Sequence, residues 1–268
     1  MFKERLITAL VLAPLALAAV FLLPLLPFSI LMGLLVLLGG WEWSNLALIR
    51  RTHRVLYVVS LALLLLATDY LLRWVEMPVL VLASLFWIFA LTRVGRYPQT
   101  RGFDCTPSKI LIGYLVLIPA WVSMVGMKAH PQGTLLIVML FLLVWGADVG
   151  AYFAGKRFGR NKLIPKVSPG KTREGVLGGL AVCVLVAISF SILSKLSFGA
   201  TLGLLLLALV TGMVSVLGDL FESMFKRERG IKDSGRILPG HGGILDRIDS
   251  LTAAAPIFLL GQYWMQIY

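Results

Sequence analysis

The chain has 268 residues, of which 59% are apolar and only 14% charged. That hydrophobicity excludes an ordinary soluble domain and belongs to a polytopic membrane protein. A formal charge of +12 would point to nucleic acid in a soluble protein, but here the positive-inside rule accounts for most of it, so no nucleic-acid partner is expected.

Cys105 and Cys183 have no CxxC spacing, so neither a disulfide framework nor a zinc site is expected. The first 26 residues carry an apolar run too long for a signal-peptide core, and a second run follows at once. A first membrane anchor is the better reading.

Runs of roughly 17–25 apolar residues are long enough to cross a bilayer as helices. Nine stretches qualify: 6–26, 29–49, 55–72, 78–91, 110–127, 134–153, 176–193, 201–221 and 251–268. The fold class predicted is therefore an all-α polytopic membrane protein with about nine transmembrane helices and a cytoplasmic N-terminus. The first two helices would meet in a tight hairpin at Pro27-Phe28. With this orientation, all of the 25 Lys and Arg except Arg73, Lys128 and Lys195 fall on the cytoplasmic side. The chain divides into residues 1–133, spans one to five with few chemical motifs, and residues 134–268, spans six to nine with their cytoplasmic loops.

In the first part, Glu42 lies between Trp41 and Trp43 near a membrane interface, where a structural role is expected. Asp69 reads as an interfacial residue near the outer end of the third span. The basic loop at 93–109 reads as a topology signal and a lipid-headgroup contact.

Chemistry begins with the sixth span. Asp148 lies inside an apolar run and shares a helical face with Trp145, Tyr152 and Gly155. A lone carboxylate there is costly without a partner, so it is a candidate functional residue. The next loop carries seven Lys and Arg before Glu174. Its Gly170-Lys171-Thr172 resembles the end of a P-loop, but the pattern requires glycine at the position of Pro165, so a Walker fold is rejected. Ser168, Lys171 and Thr172 remain as anion-binding candidates beside a predicted helix start.

Residues 218–250 concentrate the polar chemistry. Ser215, Asp219, Glu222 and Lys226 form one polar stripe on an otherwise apolar helix, which must face protein or a wet cavity. Ser215 and Gly218 also suit a close helix-packing seam. A short basic, glycine-rich loop follows, in which His241 either touches a phosphate or orders the chain. Asp246 and Asp249 lie one turn apart at the next helix start, where N-capping explains one carboxylate more easily than two. Pro256 is expected to bend that helix. Carboxylates from two helix ends can hold a hard divalent cation, and Lys and Arg near free amides can hold phosphates.

Ser223, Lys226-Arg227, Lys232-Asp233, His241-Gly242-Gly243 and Asp246-Arg247-Ile248-Asp249 carry a resemblance to the phosphatidate cytidylyltransferase (CDP-diacylglycerol synthase) family. Asp148 with Ala151-Tyr152, Ser168-Pro169, Lys171-Thr172, Glu174-Gly175 and Gly218-Asp219-Leu220 extend the resemblance to roughly residues 144–255; Arg173, where an aromatic is expected, departs from it.

The resemblance implies that CTP and phosphatidate give CDP-diacylglycerol and pyrophosphate with Mg²⁺, leaving room for a second cation. It implies an integral protein of a bacterial-type inner membrane, with membrane lipids as partners and the active site on the cytoplasmic face. A homodimer is compatible with this. Asp219 and Asp246 are assigned as metal ligands, with Asp249 and Asp148 as further candidates. Lys226, Arg227, Lys171 and Arg247 would hold phosphates; Ser168, Thr172, Ser223 and His241 would orient them.

Two alternatives stay open on the residues alone. A CTP-dependent polyprenol kinase would transfer the γ-phosphoryl group. An ion or lipid transporter would use the intramembrane carboxylates as an ion path, but no internal repeat is visible. A CDP-alcohol phosphotransferase is excluded because the chain has no Asp-Gly pair.

Overall fold

A computed structural model describes residues 2–99, 105–238, 240 and 242–265, with side chains described for all of these except residues 2–9, 72 and 73. Nine helices run through the described residues: α1 (Phe2–Leu22), α2 (Leu25–Leu46), α3 (Arg51–Tyr70), α4 (Leu72–Gly95), α5 (Thr106–Ala129), α6 (Gly133–Phe158), α7 (Arg173–Leu193), α8 (Phe198–Glu228) and α9 (Leu245–Met265). Between α6 and α7 lies a small antiparallel hairpin of β1 (Lys162–Ile164) and β2 (Ser168–Thr172), pairing Lys162 with Thr172 and Ile164 with Ser168. The hairpin takes the place of the loop expected here, and the chain reverses between Ile164 and Ser168 around Pro165.

Among the described residues, seven helices, α2 to α8, are long and apolar enough to cross a bilayer. Their outward faces carry large exposed apolar side chains such as Leu63, Leu66, Leu82, Ile88, Leu185 and Leu206. Such a belt suits lipid and not water. The molecule is therefore an integral membrane protein. The Cys105 thiol donates to Ser108 Oγ at 3.3 Å, and the buried Cys183 thiol donates to the Leu143 carbonyl at 3.6 Å.

The first helical break falls at Leu23-Pro24, four residues before the predicted Pro27-Phe28. Pro24 is the N-cap of α2, and Pro27 falls in its first turn. The first four amides of a helix have no intrahelical partner, so a missing N–H there costs nothing. The fourth span, predicted short at 78–91, belongs to a 24-residue helix that continues through Pro78. Pro256 likewise lies inside α9 and does not end it.

Small residues let α6 and α7 approach closely. A Cβ on Gly150 of α6 would lie 2.7 Å from the Gly178 carbonyl of α7, and one on Gly179 would lie 2.7 Å from the Ala147 carbonyl. Without side chains there, the two backbones meet directly. The same device joins α8 to α9: a Cβ on Gly218 would sit 2.5 Å from the Asp249 carbonyl and 2.9 Å from the Ala253 Cβ.

An aromatic cluster fixes the chemically rich end. Phe225 packs edge-on to Trp43 at 5.0 Å and to Phe221 at 5.1 Å, and Phe221 meets Trp87 at 5.3 Å. This ties α8 to α2 and α4. Both hydrophobic cores draw residues from either side of the 133/134 division, for example Trp43 with Phe225 and Phe28 with Phe258. The helix α8 has 31 residues, about 46 Å at 1.5 Å per residue. That exceeds a hydrocarbon core of about 30 Å, so one end of α8 can project from the apolar layer.

Candidate active site

The C-terminal end of α8 carries Asp219, Glu222, Ser223, Lys226 and Arg227, and the first turns of α9 carry Asp246, Arg247 and Asp249. The Gly218 contact brings these two helix ends together. Lys226 is the central cation. Its Nζ lies 2.7 Å from Asp246 Oδ1 and 3.1 Å from Glu222 Oε1. The Lys226 and Asp246 side chains are only 9% and 6% exposed, so the pair acts with little solvent screening. Asp246 Oδ2 accepts hydrogen bonds from the amides of Gly243, at 2.8 Å, and Ser234, at 2.9 Å, and from Ser234 Oγ at 2.9 Å. Asp246 is thereby held at both oxygens.

Asp219 is held from the other side. Lys171, on β2, reaches its Oδ2 at 2.7 Å, and Ser223 donates to its Oδ1 at 3.1 Å. This pair is more open to solvent than the Lys226 pair. Asp249 accepts from the Ser250 amide at 2.7 Å.

Asp148, Asp219, Asp246 and Asp249 all line one polar cavity of about 310 Å³, together with Ser223, Lys226, Arg227, Lys232 and Arg247. Asp148 also lines a second, more apolar cavity of about 360 Å³ between α6, β2 and α7, with Tyr152, Gly155, Lys156, Lys171 and Thr172. The two cavities adjoin at Asp148.

Residues 3–264 match the cytidylyltransferase family. The chain belongs to that family. A phosphatidate cytidylyltransferase of Pseudomonas aeruginosa is 48% identical over 260 residues, covering 96% of each chain. One from Haemophilus influenzae is 40% identical over 285 aligned positions, covering 96% of this chain and 97% of the relative. One from Staphylococcus epidermidis is 47% identical over 130 residues, about half of each chain.

Most of the residues predicted for this cytidylyltransferase site meet in the two cavities. Thr172 lines one of them, and Ser168 lines neither. The Thr172 hydroxyl accepts from the Gly175 amide at 3.1 Å and so caps α7. Ser168 begins β2. Gly170, Lys171 and Thr172 form an extended strand, unlike a phosphate-wrapping P-loop. Arg227 lines the polar cavity and also donates from Nε to the Val167 carbonyl at 3.0 Å, tying the hairpin to α8. Glu174 accepts from the Arg160 and Asn161 amides at 3.1–3.2 Å, securing the end of α6 to the start of α7. His241 lies outside the described residues. Of the face predicted for α6, Asp148, Tyr152 and Gly155 share a cavity, whereas Trp145 stacks on Phe141.

The polar stripe of α8 also divides. Asp219, Ser223 and Lys226 face the cavity. Ser215 is buried and donates to the Gly212 carbonyl at 2.8 Å. Glu222 is buried at 3% exposure behind Lys226, and neither of its oxygens has a hydrogen-bond partner; the 3.1 Å approach of Lys226 is an ion pair without hydrogen-bond geometry.

Five carboxylates on one cavity, Asp148, Asp219, Asp233, Asp246 and Asp249, supply hard oxygen donors, the chemistry Mg²⁺ requires. Among the described residues, no three carboxylate, His or Cys side chains form a ready-made metal centre. Ammonium groups occupy the Asp219 and Asp246 oxygens. The donors thus fit a magnesium ion in kind, and binding would exchange a lysine contact for a metal contact.

Sequence reasoning underrated Glu42. It lies in α2, is only 3% exposed, and accepts from the Ile244 amide at 3.1 Å, the Leu245 amide at 2.8 Å and Ser234 Oγ at 3.1 Å. Its structural role is as expected, but its place is a buried anion at the start of α9. Its partners lie about 200 residues away, and no local pattern reports that.

Proposed function

We propose that this chain is a phosphatidate cytidylyltransferase, transferring the cytidylyl group of CTP to phosphatidate at the cytoplasmic surface of a bacterial-type inner membrane. The observation that carries this reading is the polar cavity at the α8–α9 junction. It combines five carboxylates with Lys226, Arg227, Lys232 and Arg247 and adjoins a second, apolar-lined cavity through Asp148. Relatives bearing that enzyme name match nearly the whole chain.

In this reaction a phosphate oxygen of phosphatidate attacks the α-phosphorus of CTP. The new P–O–P bond forms as the bond to the β-phosphate oxygen breaks, and pyrophosphate leaves with the electron pair. The attacking oxygen is already ionised near neutral pH, so no strong base is required. The difficulty is mutual repulsion of two polyanions, which cationic clamps reduce. Lys226, Arg227, Lys232 and Arg247 surround the phosphates in the polar cavity. Lys171 and Lys156 supply positive charge to the adjoining one. Ser223 orients a phosphate beside Asp219; Ser168 and Thr172, at the two ends of β2, fix the strand that presents Lys171. His241 is assigned to the phosphates.

Magnesium, held by Asp219, Asp246 and Asp249 with Asp148 at the junction of the cavities, would neutralise charge on both reactants when bound. The nine-span arrangement with a cytoplasmic N-terminus agrees with the grouping of basic residues. Lys109 pairs with Glu228 at 3.0 Å, and Arg229 donates to the Asn45 carbonyl at 3.4 Å, at the same end as the cavity residues Lys226 and Arg227. The acyl chains of phosphatidate would stay in the lipid layer beside α6 and α7.

The deciding experiment supplies CTP labelled at either the α- or the γ-phosphate to purified protein with phosphatidate. Label from the α-phosphate enters lipid, and γ-label leaves as pyrophosphate. Entry of γ-label into lipid would replace this reading with a kinase.

A further inference from the structure

We infer that Glu42 is a positioning residue for the active site, acting through Ser234 on Asp246. This rests on the cytidylyltransferase reading only for its activity readout.

The carboxylate of Glu42 is buried, and burial of an anion is costly without donors. Its donors are the Ile244 and Leu245 amides, which open α9, and the Ser234 hydroxyl. The amides at a helix start favour an anion, so Glu42 does from a distant helix what a local N-cap residue usually does. The backbone is shaped to admit it. A Cβ on Gly235 would overlap Glu42 Oε1, and a Cβ on Gly243 would overlap Glu42 Oε2 and Ser234 Oγ. Residues 234–235 and 243–245 thus enclose this one carboxylate.

The link to the site is the Ser234 hydroxyl. It lies 3.1 Å from Glu42 Oε2 and 2.9 Å from Asp246 Oδ2, and has one proton to donate. Two carboxylates share it. Asp246 in turn fixes Lys226 at 2.7 Å. Four side chains from α2, the 231–244 segment, α9 and α8 therefore form one hydrogen-bonded series that ends in the polar cavity. Glu42 is absent from the lining of that cavity, so it acts on the reaction through its neighbours.

The test uses full-length protein in detergent carrying Glu42→Gln, Ser234→Ala or both. The glutamine keeps size and one acceptor but removes the charge. We expect Glu42→Gln to lower turnover per folded molecule by roughly 10–100-fold and to raise the Mg²⁺ concentration giving half-maximal rate, as loss of an outer partner of an active-site carboxylate does. The double variant should lose less than the product of the two single losses, because both act on Asp246. Hydrogen exchange should rise in peptides covering residues 231–249 and stay unchanged in α6 and α7. Exchange is read without substrate, so it tests the positioning even if the enzyme assay fails for another reason. Where Glu42→Gln does not fold, Ser234→Ala carries the same rate and exchange tests. Wild-type turnover and Mg²⁺ dependence in the folded variant, multiplicative losses, or unaltered exchange over 231–249 would each overturn the inference.

Discussion

Lys226 Nζ bridges two helices, 2.7 Å from Asp246 Oδ1 of α9 and 3.1 Å from Glu222 Oε1 one turn back on α8. Both carboxylates are buried and depend on this one ammonium for charge balance. Removing one partner of such a group leaves uncompensated charge, at a cost of about 3–5 kcal/mol. Lys226→Met should therefore lower thermal stability in detergent as well as turnover. Adding Glu222→Gln should recover part of the stability and little of the turnover, because Glu222 lies behind the cavity. Thermal unfolding of the single and double variants checks this; equal stability of wild type and Lys226→Met would show that the pair contributes nothing.

Asp219 has a looser setting. Its Lys171 partner is partly solvent-exposed and stands on β2 at the junction of the cavities. Lys171→Gln should change stability by less than about 1 kcal/mol, in line with exposed pairs. It should raise the KM for CTP or phosphatidate roughly tenfold or more, since a hydrogen bond to a charged phosphate is worth about 1.5–3 kcal/mol. Steady-state kinetics with each substrate varied separately would show which phosphate Lys171 meets.

The α8–α9 contact depends on the absence of a side chain at residue 218. Gly218→Ala should push α9 from α8 by overpacking, costing about 1–3 kcal/mol and reducing turnover. Gly199 is the control: a Cβ there meets nothing within 4 Å, so Gly199→Ala should be neutral or stabilise α8 by up to about 1 kcal/mol. Equal behaviour of the two variants would contradict the close-packing account.

Thr172 offers a separate test of the hairpin. Its hydroxyl caps α7, and loss of a cap costs about 0.5–2 kcal/mol. Thr172→Ala should destabilise by that amount and weaken turnover through Lys171, while Thr172→Ser should retain both. A serine variant as impaired as the alanine variant would assign the role to the methyl group.

The sequence made the α8 stripe, the α9 carboxylates and the basic loops legible because each is a local departure from an apolar background. A polar or charged side chain every three or four residues on a hydrophobic helix has few structural explanations. Other features arise from contacts that local patterns do not encode. Glu42 looked interfacial between two tryptophans, yet Trp43 is buried against Phe225 and the carboxylate is enclosed by a segment from the far end of the chain. The β1–β2 hairpin is short and rich in Pro and Gly, so it reads as loop; its strands are held by few residues and by Arg227 donating to Val167. The break before α2 is expected at Pro27-Phe28 because the apolar runs 6–26 and 29–49 meet there, but proline is tolerated in the first turn of a helix and Pro24 fills the cap.

The joint work of Asp219 and Asp246 can be measured directly. Purified wild type, Asp219→Asn and Asp246→Asn proteins, matched for folding, are given phosphatidate and α-labelled CTP with Mg²⁺ or with a chelator. Wild type should form nucleotide-linked lipid and pyrophosphate only with Mg²⁺, and each variant should lose roughly 10²–10³-fold in rate, the scale of removing one electrostatic contact at a reacting centre. Near-wild-type lipid labelling by both folded variants, or undiminished labelling in the chelator, would contradict the account.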